Sequence, residues 1–441
     1  MSVQRALLAA VALLRVTAQA AGVSGTAFGF ATGTTGGGNA AAAAPSDIAQ
    51  LTEWLTDSIP RVILIDKEFN YLGSEGKCFN CKCCVPDSNT CGSSGQNAIA
   101  LASSSWCGTY PTTTCTYDKA ALEGINVSSH KSIVGVGSAG VIRGRGLRLA
   151  NGVSNVIIQN IHITDLNPQY IWGGDAITLD GTDQIWIDHV KISLIGRQMF
   201  VAGFDSSGRV TISNSEFDGR TSWSASCDGH HYWTILGYGK NDKVTFTGNY
   251  IHHTSGRSPR LEFDNYWHVY NNYWFSNTGH AFDVGEGTNA LIEGNVFDQV
   301  KTPLLTPGKT FAVSSSDMST CNSMLGRSCS ANTLTTSGTL SASDQSVLSS
   351  FPSGGSRFNL LDAGRVKSSV LSNAGIGKLR RSRASKKKDR QYAGITPSVP
   401  ASSAAGSGAS PTGPPPQFSW TTIVVKPTPL PSGPPARPQG S

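Results

Sequence analysis

The chain reads as all-β: a right-handed single-stranded parallel β-helix (a solenoid) with an N-terminal capping helix and long side loops. Three observations predict this. Short strands recur at Ser132-Ile133-Val134, Val156-Ile157-Ile158, Gln184-Ile185-Trp186-Ile187, Val210-Thr211-Ile212, Val244-Thr245-Phe246, Trp267-His268-Val269 and Leu291-Ile292. A polar residue closely follows each of the last six, at Asn160, Asp188, Asn214, Asn249, Asn272 and Asn295, with spacings of 28, 26, 35, 23 and 23. The 49 glycines follow no collagen period and suit a body of tight turns. A period in the twenties marks a coil that buries its apolar face only on its neighbour. Val, Ile and Thr dominate the repeats and helical periodicity is lacking, which disfavours helical solenoids. Asparagines stacked at the bends would satisfy side-chain and backbone groups there. Asn160, Asn214, Asn249, Asn272 and Asn295 therefore read as structural.

The remaining elements follow in chain order. Residues 1–20 read as a secretion signal, with Arg5 as the positive start and Ala6 to Leu14 as the apolar run. Ala18-Gln19-Ala20 supplies small residues for cleavage, and the apolar run is too short to span a bilayer. A secreted, extracellular protein is expected. Gly22 to Gly38 reads as an extended or looped lead-in. Ser46 or Asp47 can cap a helix with Ile48, Leu51 and Leu55 on one face; Pro60 ends it, and Val62-Ile63-Leu64-Ile65 follows as a buried strand. Residues 21–376 form the expected β-helix domain. Residues 377–441 are a basic run and then a Pro/Ser-rich stretch whose composition cannot bury enough apolar surface to order itself. No later segment is long and apolar enough for a membrane helix.

The net charge of +6 is a property of the ends. Lys378 to Arg390 carries +7, Arg5 with Arg15 adds +2, and Lys426 with Arg437 another +2; taking these from +6 leaves −5 for residues 21–377. A mildly acidic body repels a polyanion such as nucleic acid, whereas a neutralised polymer is not repelled. Seven of the ten cysteines fall between Cys78 and Cys115, so that loop is expected to be stapled. Cys78-x-x-Cys81 also has a zinc-like spacing, but export favours disulfides. Cys321 and Cys329 are close enough for a local bridge. Asn126-Val127-Ser128 is a glycosylation sequon.

The segments GVSGTAFGFATGTTGG, IWGGDAITLDGTDQIWIDHVKISLIGRQMFV, CDGHHYW, HTSGRSPR and NNYWFSNTGHAFDVGEG resemble a secreted pectin lyase of polysaccharide lyase family 1, from about Gly22 to about Gly375 in one consistent order. The WIDH motif is shared with pectate lyases, while the IGRQ and CDGHHYW segments are specific to the pectin lyase branch. The tail lies outside the resemblance, and the crowded cysteines near Cys81 exceed the family's usual complement. The resemblance implies a parallel β-helix and eliminative cleavage of methyl-esterified galacturonan: a base removes the C5 proton and the C4–O4 bond breaks. The hard step is stabilising the enolate-like charge on the carboxyl group. Pectate lyases use calcium held by acidic residues.

The resemblance assigns residues as follows. Arg257 matches the catalytic arginine, either as base or as a charge that stabilises the enolate. Free arginine keeps its proton far above neutral pH, so the first role needs neighbouring positive charge and desolvation, which Arg260 and Arg197 could help supply. Asp175 matches a calcium-binding carboxylate, and Arg197 stands at another such position with inverted charge. A guanidinium there can replace the metal and bind a carbonyl oxygen, or simply pair with Asp175. Arg260 is expected to bind substrate together with Trp106, Trp172, Tyr232 and Trp233, which match the aromatic cleft. Cys227 is expected to bridge to Cys91, and Cys107 to one of Cys78–Cys84, with Cys84 favoured. No metal and no cofactor is expected, and the protein should act as a monomer on pectin.

Other readings stay in view. His189 in the WIDH motif is a tempting base, yet a histidine at a strand end is more often a satisfied core residue. No HExxH motif is present. A galacturonan hydrolase needs paired carboxylates, and Asp175 with Asp180 is the one nearby pair. A calcium-dependent pectate lyase acting on demethylated polymer and a non-catalytic wall-binding β-helix are the remaining alternatives.

Overall fold

A computed structural model describes residues 22–351 and 360–379. The expected signal segment and nearly all of the basic, Pro-rich tail lie outside the described residues. Successive strands form three parallel ladders, each coil adding one rung to each, and the body is a parallel β-helix. The first ladder runs from Arg61–Ile65 and Lys131–Gly135 through Arg209–Ser213, Lys243–Thr247, Tyr266–Tyr270 and Asn289–Glu293 to Lys309–Ala312. The second runs from Glu68–Asn70 to Thr333–Thr335. The third begins at Ile125–Asn126 and ends where Leu261 pairs with Val284. The long strands Leu147–Gln159 and Ile177–Asp188 turn the corner from the third ladder into the first.

Strand alternation sends one residue inward and the next outward. Inward residues of all three ladders, such as Ile158, Ile187 and Phe246 of the first, Ile163, Ile192 and Phe217 of the second and Ile177, Phe200 and Ile235 of the third, fill one continuous core. Trp274 lies flat against Phe297 within it, with ring centroids 4.9 Å apart. A nine-residue helix (α1, Ile48–Thr56) closes the first coil. The Asp47 carboxylate caps it by accepting the Gln50 N–H, and Leu51 and Leu55 join the core. At the far end α2 (Thr320–Leu325) packs Cys321 and Leu325 on Leu291 and Phe311, with the Cys321–Cys329 bridge beside it. Helix α3 (Ala363–Asn373) lies outside the second ladder, with Val366 and Val370 on Tyr273 and Val296. The chain then runs back along that face, where the Gly377 N–H reaches the Asn160 side chain at 2.8 Å.

The polar residues at the bends do not form the single stack expected. They divide into two columns. Asn160, His189 and Asn214 occupy a left-handed bend position, with φ of 58°, 53° and 46°. Asn249, Asn272 and Asn295 sit one residue further along the turn. Asn and His tolerate the first position, which most side chains avoid. In the second column each side-chain oxygen accepts from the coil before it. Asn272 accepts the Asn249 backbone N–H at 2.9 Å and its amide at 3.0 Å; Asn295 does the same for Asn272, and Asn332 for Asn295. Asp188 does comparable work in the first half, accepting from Gln159, His189, Ser213 and Asn214. His189 is thus held inside the turn by its carboxylate neighbour.

All ten cysteines are paired: Cys78–Cys81, Cys83–Cys115, Cys84–Cys107, Cys91–Cys227 and Cys321–Cys329. The first three staple a small sheet of Lys77–Cys84, Thr112–Asp118 and Asn97–Ile99. Parallel pairing of Asn97–Ala98 with Tyr170–Ile171 docks it beside the third ladder.

Replacing Asn272 with Ala would strip the Asn249 amide groups of their acceptor and the Phe246 and Tyr270 carbonyls of their donor. We expect a loss of about 3 kcal/mol in urea unfolding, with an unchanged m-value.

Candidate active site

The outward column of the third ladder is the floor of the site. Register places Asn126, Arg148, Thr178, Val201, Leu236, Arg260 and Asp283 in line, one from each coil. The turns entering these strands carry the reactive groups. Asp175 precedes the Thr178 rung, Arg197 the Val201 rung, and Arg257 the Arg260 rung. The stapled sheet forms a wall on one side. A cavity of about 460 Å³ lies between wall and floor, lined by Trp172, Asp175, Asp180, Arg197, Arg148 and Asn126 among others. Asn126 is exposed there.

Arg197 sits over Trp172, with Cζ 3.8 Å from the ring centroid. Its Nη1 is 3.8 Å from Asp175 Oδ2, a loose pair, while Asp175 Oδ1 accepts the Gln198 N–H at 2.8 Å. Burial pushes the Asp175 carboxyl up and the Arg197 guanidinium down, and the pairing opposes both shifts. Arg257 adds to the effect on Arg197 by like charge. Arg257 itself is 4% exposed, with φ of 47°, and its Cζ stands 4.7 Å from the Trp233 ring and 5.6 Å from Tyr232. It has no carboxylate partner among the described residues. The Nε atoms of both arginines and Nε1 of Trp172 are buried with no protein acceptor. Buried donors of this kind normally bind something, and here several lie around one cleft.

Two histidines hold these turns in place. His231 Nε2–H donates to the carbonyls of Arg197, at 2.8 Å, and Trp233, at 3.0 Å. His280 Nε2 accepts the Arg257 backbone N–H at 3.1 Å. Neither role was legible in the sequence. The CDGHHYW and NNYWFSNTGHAFDVGEG segments marked His231 and His280 only as parts of a pattern.

The predicted aromatic residues come together. Trp106 meets Trp172 edge to face at 6.3 Å, and Tyr232 meets Trp233 at 4.9 Å. Trp106, Trp172 and Tyr232 are half-buried, whereas Trp233 is 8% exposed and donates its indole N–H to Gln96. Arg260 lies on the floor but is heavily engaged. It bonds Tyr238 Oη at 2.9 Å, Asp283 at 2.9 Å and Glu262. Burial works against its charge, and Tyr238, Asp283 and Glu262 outweigh that and hold the guanidinium above its ordinary value. The expectation that Arg260 lends free positive charge to Arg257 is therefore corrected: two carboxylates absorb it.

The residues do not fit a calcium ion. A hard cation needs six or more oxygens, and here a fixed guanidinium faces the Asp175 carboxylate. Elsewhere Glu216, Asp218 and His252 converge on the second ladder. Lys191 places its ammonium 2.9 Å from Glu216 and 3.1 Å from Asp218, and Arg220 pairs with Asp218 at 2.6 Å, so that cluster is already charge-balanced.

The pectate lyase family model matches residues 92–379, and the chain belongs to that family. A protein named probable pectin lyase F from Aspergillus niger is 64% identical over 459 residues, covering 100% of this chain and 96% of that protein. Its namesake from Aspergillus flavus is 66% identical over 376 residues, covering 85% of this chain and 88% of its own length. Among solved structures, a pectate lyase bound to a hexasaccharide aligns with a TM-score of 0.52 at 19% identity, over 83% of this chain and 100% of that one. A Xanthomonas campestris pectate lyase variant gives 0.51 at 19% identity, over 80% and 100%. These two establish likeness of fold.

Burial holds His162, His231 and His280 at about 4, below the ordinary 6.5. A depressed pKa contributes stability that is present above 6.5 and lost as pH falls towards 4. Asp242, raised by burial to about 7, and Asp175, also raised by burial, act oppositely over that window, while His253 and His268 are lowered as well, so five groups stand against two. The thermal midpoint should therefore fall between pH 6.5 and 4, and His280→Gln should flatten that slope.

Proposed function

We propose that this chain is a pectin lyase, secreted and acting as a monomer, that cleaves methyl-esterified α-1,4-galacturonan by β-elimination without calcium. The observation that carries the reading is the pair of buried guanidiniums, Arg197 and Arg257, whose Nε donors lack protein acceptors in a cleft walled by Trp172, Tyr232 and Trp233. The relatives named pectin lyase support the substrate class.

The chemistry follows from placing charge where charge develops. Removal of the C5 proton leaves electrons delocalised onto the ester carbonyl oxygen. Those electrons then form the C4–C5 double bond while C4–O4 breaks, and the departing oxygen takes up a proton. Arg197, held over Trp172 and oriented by Asp175, is assigned to the carbonyl oxygen. Arg257 is assigned to the C5 hydrogen, and His280 positions its backbone. A methyl ester brings no negative charge of its own, so fixed guanidiniums can serve where a free carboxylate would recruit a divalent ion. The half-buried aromatic rings offer faces to sugar C–H groups and ester methyls. Arg260 contributes a neutralised, hydrogen-bonded floor. The sequon at Asn126 is exposed but lines the cavity, so a glycan there would compete with the polymer for the cleft.

Highly esterified pectin should yield products that absorb short-wavelength ultraviolet light through the double bond conjugated to the carboxyl group at their unsaturated ends. A chelator should leave that rate unchanged, and loss of all activity would instead support the calcium-dependent alternative. Arg257→Lys and Arg197→Ala should each lower kcat by about 10²–10³-fold. Should Arg257 act as the base, the lysine variant would gain rate steeply with pH, since an ammonium releases its proton more readily than a guanidinium. A charge-stabilising Arg257 would give no such rise.

A further inference from the structure

Where strands of the third ladder run out into their following turns, three rings from three consecutive coils meet. Phe204 follows the Val201 rung, Tyr238 the Leu236 rung, and Phe263 the Arg260 rung. Their centroids are 5.6 Å (Phe204–Tyr238), 5.8 Å (Phe204–Phe263) and 5.2 Å (Tyr238–Phe263) apart. Phe204 and Phe263 are 43% and 42% exposed, while Tyr238 is buried beneath them. Large rings this exposed on adjacent turns form a patch rather than scattered apolar residues. Phe263 also adopts φ of 72°, a conformation unfavourable for a bulky side chain. The fold therefore keeps a bulky residue in a backbone conformation it disfavours.

The patch is continuous with the floor. Val201 and Leu236, the two apolar members of the outward column, pack with Tyr238. The Tyr238 hydroxyl accepts from Arg260 Nε at 2.9 Å. An uncharged path thus leads from the guanidinium pair across Val201 and Leu236 to the three rings. Its flanks hold one acid in excess: Glu262, Asp283 and Asp264 stand against Arg260 and Lys240, with the Lys240 ammonium 3.9 Å from Asp264.

We propose that Phe204, Tyr238 and Phe263 form an outer shelf that binds methyl-esterified galacturonate units of the polymer, on the opposite end of the strands from the Trp172–Trp233 wall. The inference rests on the reading of this cleft as a pectin site and adds where the chain is gripped and why esterification matters there. Apolar ring faces pack on sugar C–H groups and ester methyls, whereas a free uronate on the shelf would meet Glu262 and Asp264. Phe204 and Phe263 are specificity-determining residues outside the reacting centre.

The test is a double variant, Phe204→Ser with Phe263→Asn, in the full chain; Asn tolerates the positive φ at 263. On long, highly esterified pectin KM should rise about tenfold with kcat within about twofold. Phe204→Tyr, which keeps a ring face, should retain the parental KM. An unchanged KM in the double variant, with its thermal midpoint preserved, overturns the shelf. Failure of the parent protein to release unsaturated products overturns the lyase reading instead. The shelf is then judged by retention on immobilised esterified galacturonan: weaker retention of the double variant supports it, and equal retention ends it.

Discussion

Register between coils is the constraint on which the rest of the molecule depends. Alternation has a period of two, so a slip of one residue in any strand would exchange its inward and outward sets. In the third ladder that would carry Ile177, Phe200 and Ile235 out to solvent and drive Thr178, Val201 and Leu236 inward. The asparagine column and the Asp188 cluster oppose such a slip, because each acceptor is shared between neighbouring coils. The alignment of Asp175, Arg197 and Arg257 is a by-product of the same bookkeeping, one residue per coil at equivalent entry turns.

Charge in the cleft is distributed unevenly, and the unevenness is chemical. Three arginines line the stretch from Arg197 to Arg260, yet they differ in what surrounds them. Arg260 has two carboxylates and a phenol. Arg197 has one carboxylate at a loose 3.8 Å and a ring face. Arg257 has ring faces alone among the described residues. Available positive charge is therefore least at Arg260 and greater at Arg197 and Arg257, the two guanidiniums proposed for the reacting centre. Preorganised charge costs no reorganisation at the moment of reaction.

Much of this was legible in the sequence. The repeat spacing announced a solenoid because every coil must meet the same packing demand. Arg197 and Arg257 stood out because the IGRQ and HTSGRSPR segments resemble those of pectin lyases, with Arg257 at the catalytic arginine's position and Arg197 where pectate lyases place a calcium-binding residue. The division of the asparagines into two columns was not legible, since Asn214 and Asn249 differ by a single step along a turn and both are plausible at a bend. Arg260 was visible as a residue but its neutralisation was not: Glu262 is adjacent, whereas Asp283 arrives from the next coil. The ring trio was hidden for the same reason. Phe204, Tyr238 and Phe263 are far apart in the chain, and stacking alone makes them neighbours. Sequence patterns report what each coil repeats, and these features are what single coils do differently.

The stapled sheet carries a consequence of its own. Solenoid and wall are held together by different means: the first by stacked apolar layers, the second by three bridges within Cys78–Cys115 and one tether to Cys227. A thiol-rich setting would therefore unmake the groove's flank while the spiral trunk still stood, leaving a folded but mis-shaped enzyme. The four bridges thus govern the shape of the groove's flank, while stacked apolar layers govern the frame.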